Sequence, residues 1–551
     1  MGTDSSKPYD DQLELATKLN EVGTAQEAQG NLPGALNHYR QSLEIMRHLA
    51  AQDENNAVWQ GDLARNLADV GRVQQAQGDL PGAKDNCRQS LEIMRRLAVQ
   101  DESKTDWQAG LAISLNCFGR VQEVQEDWPG ALNHYRQSLE IMSRLVAQDE
   151  NNAVWQRNLA RNLADVGRVQ EAQGDLPGAV DTFRQGLEIM RRLVAQDESE
   201  TDWQLGLAIS LDNIGRVQQS RKDLPGAVDI FRQSLEIKRR LVAQDESNAD
   251  WQVGLGISLD NIGGVLLVQG DLPGALNNYR QSLEIRRRLA AHDASNAVWQ
   301  RNLALSFAIV GSVLLVQGDL PGALDNYKQN LEIRRRLATH DASNKVWQRE
   351  LAHSLDIIGR AHKTHGDLPG ALDNCRQSLE IKRRLVAHNA SNARWQADLE
   401  VELHNCVAIL LSLGDPTNAK TLLREALGIA QNLASVSPTA DIWSSVSWYC
   451  LQLGKYPKAK AAALAGLTIA PDDVILYKNL VLAMMFLGEK AKAVNIHRTL
   501  MQSVEDGPDW LIRVATSFHT LRRLGVNHPQ MNEIEVTLGP LPLSSTSFSQ
   551  N

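Results

Sequence analysis

The sequence predicts an all-α protein, a right-handed superhelical solenoid of antiparallel helical hairpins, and three observations lead there. Tryptophan recurs at Trp59, Trp107, Trp155, Trp203, Trp251, Trp299, Trp347, Trp395 and Trp443, always 48 residues apart. Glycine keeps one phase from Gly23 and Gly71 through Gly215, Gly263 and Gly311 to Gly359, and alanine does so from Ala35 through Ala227 and Ala275 to Ala419. Between these marks apolar residues fall at helical spacing, and no alternating strand pattern interrupts them. A long period without insertion or deletion means stacked copies of one unit, each burying its apolar face on its neighbours.

One unit shows the elements in order. Trp59, Leu63, Leu67, Val70 and Val73 line one face of a first helix. Gly78 ends it, because glycine readily enters the left-handed conformation that closes helices. Asp79-Leu80-Pro81 then opens a second helix, with a capping acid and a proline suited to the first turn. Ala83, Cys87, Leu91, Ile93 and Leu97 carry its apolar face to about Asp101, and a polar stretch, Glu102 to Thr105, leads to the next tryptophan. Each helix should have about 20 residues and a length of about 30 Å. Residues 54–83 recur from Glu150 with three changes, so much of the sequence reports packing rather than function.

The second half of each unit resembles the tetratricopeptide repeat. Gly263, Ala275, Tyr279 and Ser282 keep the intervals of that motif, as do Gly215, Ala227, Phe231 and Ser234. Small residues are needed there because two helices cross closely. The unit departs from the family's usual length of about 34 residues and is nearer the long helical pairs of kinesin light chain and of bacterial arrays. The resemblance implies that the first helices line a groove that holds another protein or a peptide.

The expected organisation follows. Residues 1–10 form an N-terminal tail, and residues 11–442 form nine repeats of 48 residues packed as one continuous body. Residues 443–510 hold two shorter units, marked by Trp443, Gly454, Tyr456, Ala459, Leu467 and Pro471, then by Tyr477, Gly488, Ala493 and His497. Residues 511–551 supply a capping helix and a disordered tail.

Composition narrows the function classes. The 551 residues carry a net charge of -9, with 43% hydrophobic and 22% charged residues, as in a folded protein. Mild acidity gives no general attraction for nucleic acid or anionic membranes. No helix is expected to be apolar enough to cross a bilayer. MGTDSSKPYDDQ lacks the layout of a secretory signal. Five scattered cysteines without a CxxC pair argue for reduced thiols and a cytoplasmic location, not for disulfides.

No catalytic site, cofactor or metal is expected. Phosphate-loop, HExxH, GxSxG and dinucleotide-binding motifs are missing. His362 and His365 stand three apart near a helix end, but zinc needs three or four ligands, and they read as polar residues at a terminus. His292, His340 and His388 recur in equivalent loops, too far apart to share a metal. Cys87 and Cys375 replace the Tyr or Phe of other units and read as core fillers. Arg40, Arg88 and their equivalents precede a glutamate by four residues, as surface pairs do.

Two sets of residues are candidates for partner binding. Arg72, Arg120, Arg168, Arg216 and Arg360 follow the repeat glycine and could hold carboxylates or a phosphorylated segment. Against this, Asp69, Glu123, Asp165, Glu171, Asp212 and Asp356 lie three or four residues away and could neutralise each arginine locally. Two units break the pattern with Gly263-Gly264-Val265-Leu266-Leu267 and Gly311-Ser312-Val313-Leu314-Leu315. Leu267 and Leu315 fall in line with the lost arginine and form either an apolar patch or packing against a neighbouring helix. The expected function is an adaptor for a protein or peptide. A structural spacer or self-associating rod, and a ligand-responsive regulator of a partner enzyme, stay open as alternatives.

Overall fold

The computed structural model describes residues 7–28, 31–503, 507–526, 528 and 531–533. It is helical throughout, with no strand among the described residues. By packing the chain falls into two compact units, Met1–Val313 and Leu314–Asn551. The single body expected to about residue 440 thus gives way to two, although the sequence period runs through the division without a break.

The first unit begins with α1 (Lys7–Ala28) and α2 (Leu32–Gln52), then α3 (Ala57–Gln77), α4 (Leu80–Gln100), α5 (Thr105–Val124) and α6 (Trp128–Gln148). It continues through α7 (Ala153–Ala172), α8 (Leu176–Gln196), α9 (Thr201–Ser220), α10 (Leu224–Gln244), α11 (Ala249–Gln269) and α12 (Leu272–His292). The division lies inside α13 (Ala297–Val316). The second unit holds α14 (Leu320–His340), α15 (Lys345–Thr364), α16 (Leu368–His388), α17 (Ala393–Ser412) and α18 (Pro416–Val436). Shorter helices follow: α19 (Ala440–Gln452), α20 (Tyr456–Ile469), α21 (Val474–Phe486) and α22 (Lys490–Ser503), then α23 (Gly507–Arg523). Helix α1 starts at Lys7, inside the expected tail, with Asp10 in its first turn where the helix dipole favours an acid. The expected disordered tail lies, beyond residue 533, outside the described residues.

Local chemistry sets the hairpins. Gly78 closes α3 at φ 87°, and the Asp79 carboxylate accepts the backbone N–H of Gly82 to cap α4. The same acid-to-glycine cap starts α6, α8, α10, α12, α14 and α16. Each such cap contributes about 1 kcal/mol. At two of these corners glycine is absent, and Glu126 and Lys222 take the left-handed conformation at φ 63° and 64°. Where the helices of a hairpin cross, Ala227 and Ala275 are fully buried, and Ser138 and Ser234 donate to the carbonyls of Ala112 and Ala208. A side chain on Gly215 would meet the Phe231 ring at 2.6 Å, which is why that position stays small.

One core position changes character along the array. Met46, Met94, Met142 and Met190 are buried there in the early hairpins. Lys238, in the same phase, is equally buried and its Nζ lies 2.5 Å from Asp212 of the same hairpin and 2.8 Å from Ser258 Oγ. Arg286 pairs likewise with Asp260 at 2.5 Å, and in the second unit Lys382 pairs with Asp356 at 2.7 Å and Glu402 at 3.2 Å.

The expectation that no helix is apolar enough to cross a membrane needs correcting for two. Helices α11 and α13 reach that length and hydropathy. In α13 the apolar residues Trp299, Leu303, Phe307, Val310 and Val313 are buried in protein, and α11 packs as one half of a hairpin with α12.

Candidate protein-binding face

In the first unit, successive first helices touch one another: α3 with α5, α5 with α7, α7 with α9 and α9 with α11. The second helices make no comparable contacts. The first-helix layer is therefore the shorter, inner side of this unit.

The arginines after the repeat glycine lie on this layer, and ion pairs between repeats take up most of their charge. Arg72 pairs with Glu27 of the preceding hairpin, and with Asp69 at 3.2 Å. Arg168 pairs with Glu123 at 3.0 Å and Asp165 at 2.8 Å, and Arg216 with Glu171 at 2.8 Å. The recurring partner is thus a glutamate 45 residues upstream, across the helix interface. Arg120 has Gln75 at that upstream position and instead reaches Asp165 of the next hairpin at 3.4 Å. Although burial opposes its charge, Arg168 is held above its ordinary basicity by Asp165 and Glu123. In the second unit Arg360 is exposed, and Leu315 stands where the other rungs carry glutamate or glutamine.

A cavity of about 220 Å³ opens between α3, α5 and α7. Arg72, Arg120 and Arg161 line it, with Asp69, Asn116, Asn158, Asn162, Ile113 and Cys117. Burial, then the like charges of Arg161 and Arg120, push Arg72 down to about 10. The like charge of Arg120, and the protein packed around its guanidinium, lower Arg161, whose side chain still reaches solvent and forms no ion pair with any described residue. Two buried atoms on the cavity wall, Arg120 Nε and Asn116 Oδ1, have no protein partner. This cluster can take an anion or a carboxylate-bearing segment.

Further along the same face the character turns apolar. Ile209, Ile257 and Leu305 occupy the helix position of Ile113 and Arg161, one repeat apart, and are 47%, 44% and 47% exposed. They lie off the buried stripe of Ala208, Leu211 and Ile214. The sequence carried a signal for them, an aliphatic residue six positions after Trp203, Trp251 and Trp299 and out of phase with the core. Leu267 is half-buried near the end of α11, and its neighbour Val268 is the exposed residue there. Leu315, in the second unit, is also half-buried, with Val316 exposed beside it.

The cysteines depart from the expectation of reduced thiols. Cys87 is joined to Cys117 and Cys375 to Cys406, with Cα–Cα distances of 5.7 and 5.9 Å, while Cys450 is free and buried. Each bond ties a second helix to the first helix of the next hairpin. Cys87 and Cys375 are core residues as expected, but each faces a second cysteine about 30 residues on, a spacing that only the hairpin stack converts into proximity. The case for a reducing compartment from unpaired thiols falls with this. His362 is held by Asp367 at 2.8 Å.

The second unit has its own cavity of about 240 Å³, lined by Glu400, His404, Trp448, Tyr449 and Lys478. Lys478 Nζ lies 4.7 Å from the Trp448 ring centre, and burial and then Arg513 push it down to about 8. Tyr449 donates to Glu400, whose carboxyl burial raises.

Residues 207–245 and 256–293 match the family described as tetratricopeptide repeat. No curated protein matches the chain. Among solved structures, BtubC (BKLC) from P. vanneervenii is 19% identical, covering 47% of this chain and 92% of that one with a TM-score of 0.36. RapI in its apo form is 14% identical over 78% and 99% of the two chains, TM-score 0.46. Yeast Tom70 is 12% identical over 95% and 99%, TM-score 0.35. With its consecutive hairpins in one register, the chain is a helical repeat protein, and two of its repeats match the tetratricopeptide repeat family.

Proposed function

We propose that this protein is a non-enzymatic scaffold whose first-helix face, in the first unit, holds a segment of another protein. The observation that carries this reading is the row Ile209, Ile257 and Leu305, three exposed aliphatic side chains at one helix position in three successive repeats. Scattered exposed leucines are ordinary, but an aligned row on the inner side of a repeat stack is a surface that a chain can lie along. The cavity at Arg72, Arg120 and Arg161 on the same unit supports a partner segment with acidic residues toward one end and apolar residues toward the other.

The test is a peptide library displayed against the full chain, with affinities of recovered peptides measured by fluorescence anisotropy. Ile209→Gln, Ile257→Gln and Leu305→Gln together should weaken binding about ten-fold or more while leaving the helical signal and unfolding midpoint in place. Peptides that bind the triple variant as well as the parent, or that show no acidic and apolar bias, would sink the reading.

A further inference from the structure

We propose that the Cys87–Cys117 disulfide is a thiol-exchange site, entered at Cys117, for small thiols that carry carboxylates. This site shares the arginine-lined cavity with the proposed partner-binding face, and the observation it adds is the disulfide in the cavity wall.

The first is access. Cys117 is half-buried and lines the 220 Å³ cavity, whereas Cys87 is fully buried beneath it among Ala83 and Val121. A nucleophile arriving from solvent therefore meets the Cys117 sulfur. The second is charge. The cavity wall carries three guanidiniums, those of Arg72, Arg120 and Arg161, against one carboxylate, Asp69, which pairs with Arg72. Glu27 and Asp165 stand behind the wall, paired to Arg72 and Arg120. Among the described residues Arg161 has no ion-pair partner, and Arg120 Nε and Asn116 Oδ1, in the same cavity wall as Cys117, have no hydrogen-bond partner. Carboxylate and amide groups on an incoming thiol would occupy those positions.

The second disulfide supplies the contrast. Cys375 and Cys406 are both buried, and Glu402 Oε1 lies 2.9 Å from Cys375 Sγ. A thiolate is shut out there by burial.

The step balances without another reagent. The incoming thiolate attacks Cys117 Sγ and forms a new S–S bond. The Cys87–Cys117 bond breaks, and its electron pair leaves on Cys87 Sγ, which takes up the proton that the incoming thiol gave up. The incoming sulfur is oxidised and Cys87 is reduced, leaving Cys117 in a mixed disulfide whose carboxylates face the arginines. A second thiol attacking the new bond would release both cysteines reduced.

The experiment uses the full oxidised chain. It is incubated with glutathione, 2-mercaptoethanol or cysteamine at matched thiolate concentration, in about 0.02 M and about 0.5 M salt. Free thiols are trapped with iodoacetamide and the sites mapped by mass spectrometry. Glutathione should add at Cys117 with the trapping label on Cys87, about ten-fold faster than cysteamine at low salt, and the gap should close at high salt. Arg161→Gln should lower the glutathione rate several-fold, while Arg95→Gln, an exposed change elsewhere, should not. Equal rates for the three thiols would overturn the proposal. So would first reaction at Cys375 or Cys406, a preference unchanged in Arg161→Gln, or five free thiols in the untreated protein.

Discussion

Replacing Lys238 by Met should be strongly destabilising alone and nearly harmless when Asp212 is replaced by Ala as well. Lys238 is only 2% exposed, and its Nζ sits 2.5 Å from the Asp212 carboxylate. At that separation and an effective dielectric of about 20, the attraction is about 7 kcal/mol. Burying the two ions costs several kcal/mol each, so the intact pair nets out near zero. Lys238→Met removes the whole attraction but leaves Asp212 desolvated, with only a long contact from Ser258 Oγ at 3.4 Å. The cost should be about 3–5 kcal/mol. The double change Lys238→Met, Asp212→Ala recreates the combination one repeat earlier, where Met190 is buried and Ala164 stands at the Asp212 position. It should therefore unfold at or above the parent's denaturant midpoint. Because repeat arrays unfold in parts, the assay pairs chemical denaturation with native-state hydrogen exchange of α10 and α11 amides. A single variant within a few tenths of a kcal/mol of the parent, or a double variant as unstable as the single one, would refute this account of the buried pair.

Two further predictions concern backbone and protons. Glu126→Gly and Lys222→Gly remove side chains from left-handed positions that sister repeats give to glycine, and each should raise stability by about 1 kcal/mol in chemical denaturation. No gain in either would mean that the corners are not strained. Burial, then the like charge of Asp356, raises Glu402 from the ordinary glutamate value of 4.5 to about 7. Between those values the folded chain keeps a proton that the unfolded chain releases, so this group's contribution to stability is fully present below about pH 4.5 and is lost as pH rises through 7. Glu402→Gln should remove roughly 2 kcal/mol of that decline between pH 5 and pH 8, and a pH slope equal to the parent's would count against it.

The repeating part of the fold was legible because period, cap and crossing each leave a residue-level mark. Gly78, Asp79 and Pro81 announce a helix end and a helix start, and Ala83 and Gly71 mark where helices meet. The relations between repeats were much less visible. Asp69 and Asp165 do touch the arginines three residues on, as their spacing suggested. The stronger pattern joins Arg72 to Glu27 and Arg216 to Glu171, and a 45-residue offset has no local trace. The same reason hid both disulfides. Ile209, Ile257 and Leu305 leave a fainter mark than Leu267 and Leu315, because they break no repeat pattern and differ from core residues only in helical phase.

The paired ladder also explains where binding capacity should concentrate. A charge already held by its neighbour in the next repeat gains little from a partner's charge, because one ion pair must open for another to form. Through α1 to α9 the inner face is largely satisfied in this way. It lapses at Arg161, because Asp165 is already shared by Arg120 and Arg168. It lapses again where Gln219 and Gly264 replace the glutamate and arginine, beside the aliphatic row that runs from Ile209 of α9 through Ile257 to Leu305. The stack spends its acidic and basic residues on holding repeats together and leaves two kinds of unsatisfied surface, one cationic and one aliphatic. A partner segment recognised by this unit should match that order along its own chain, since neither surface can be exchanged for the other.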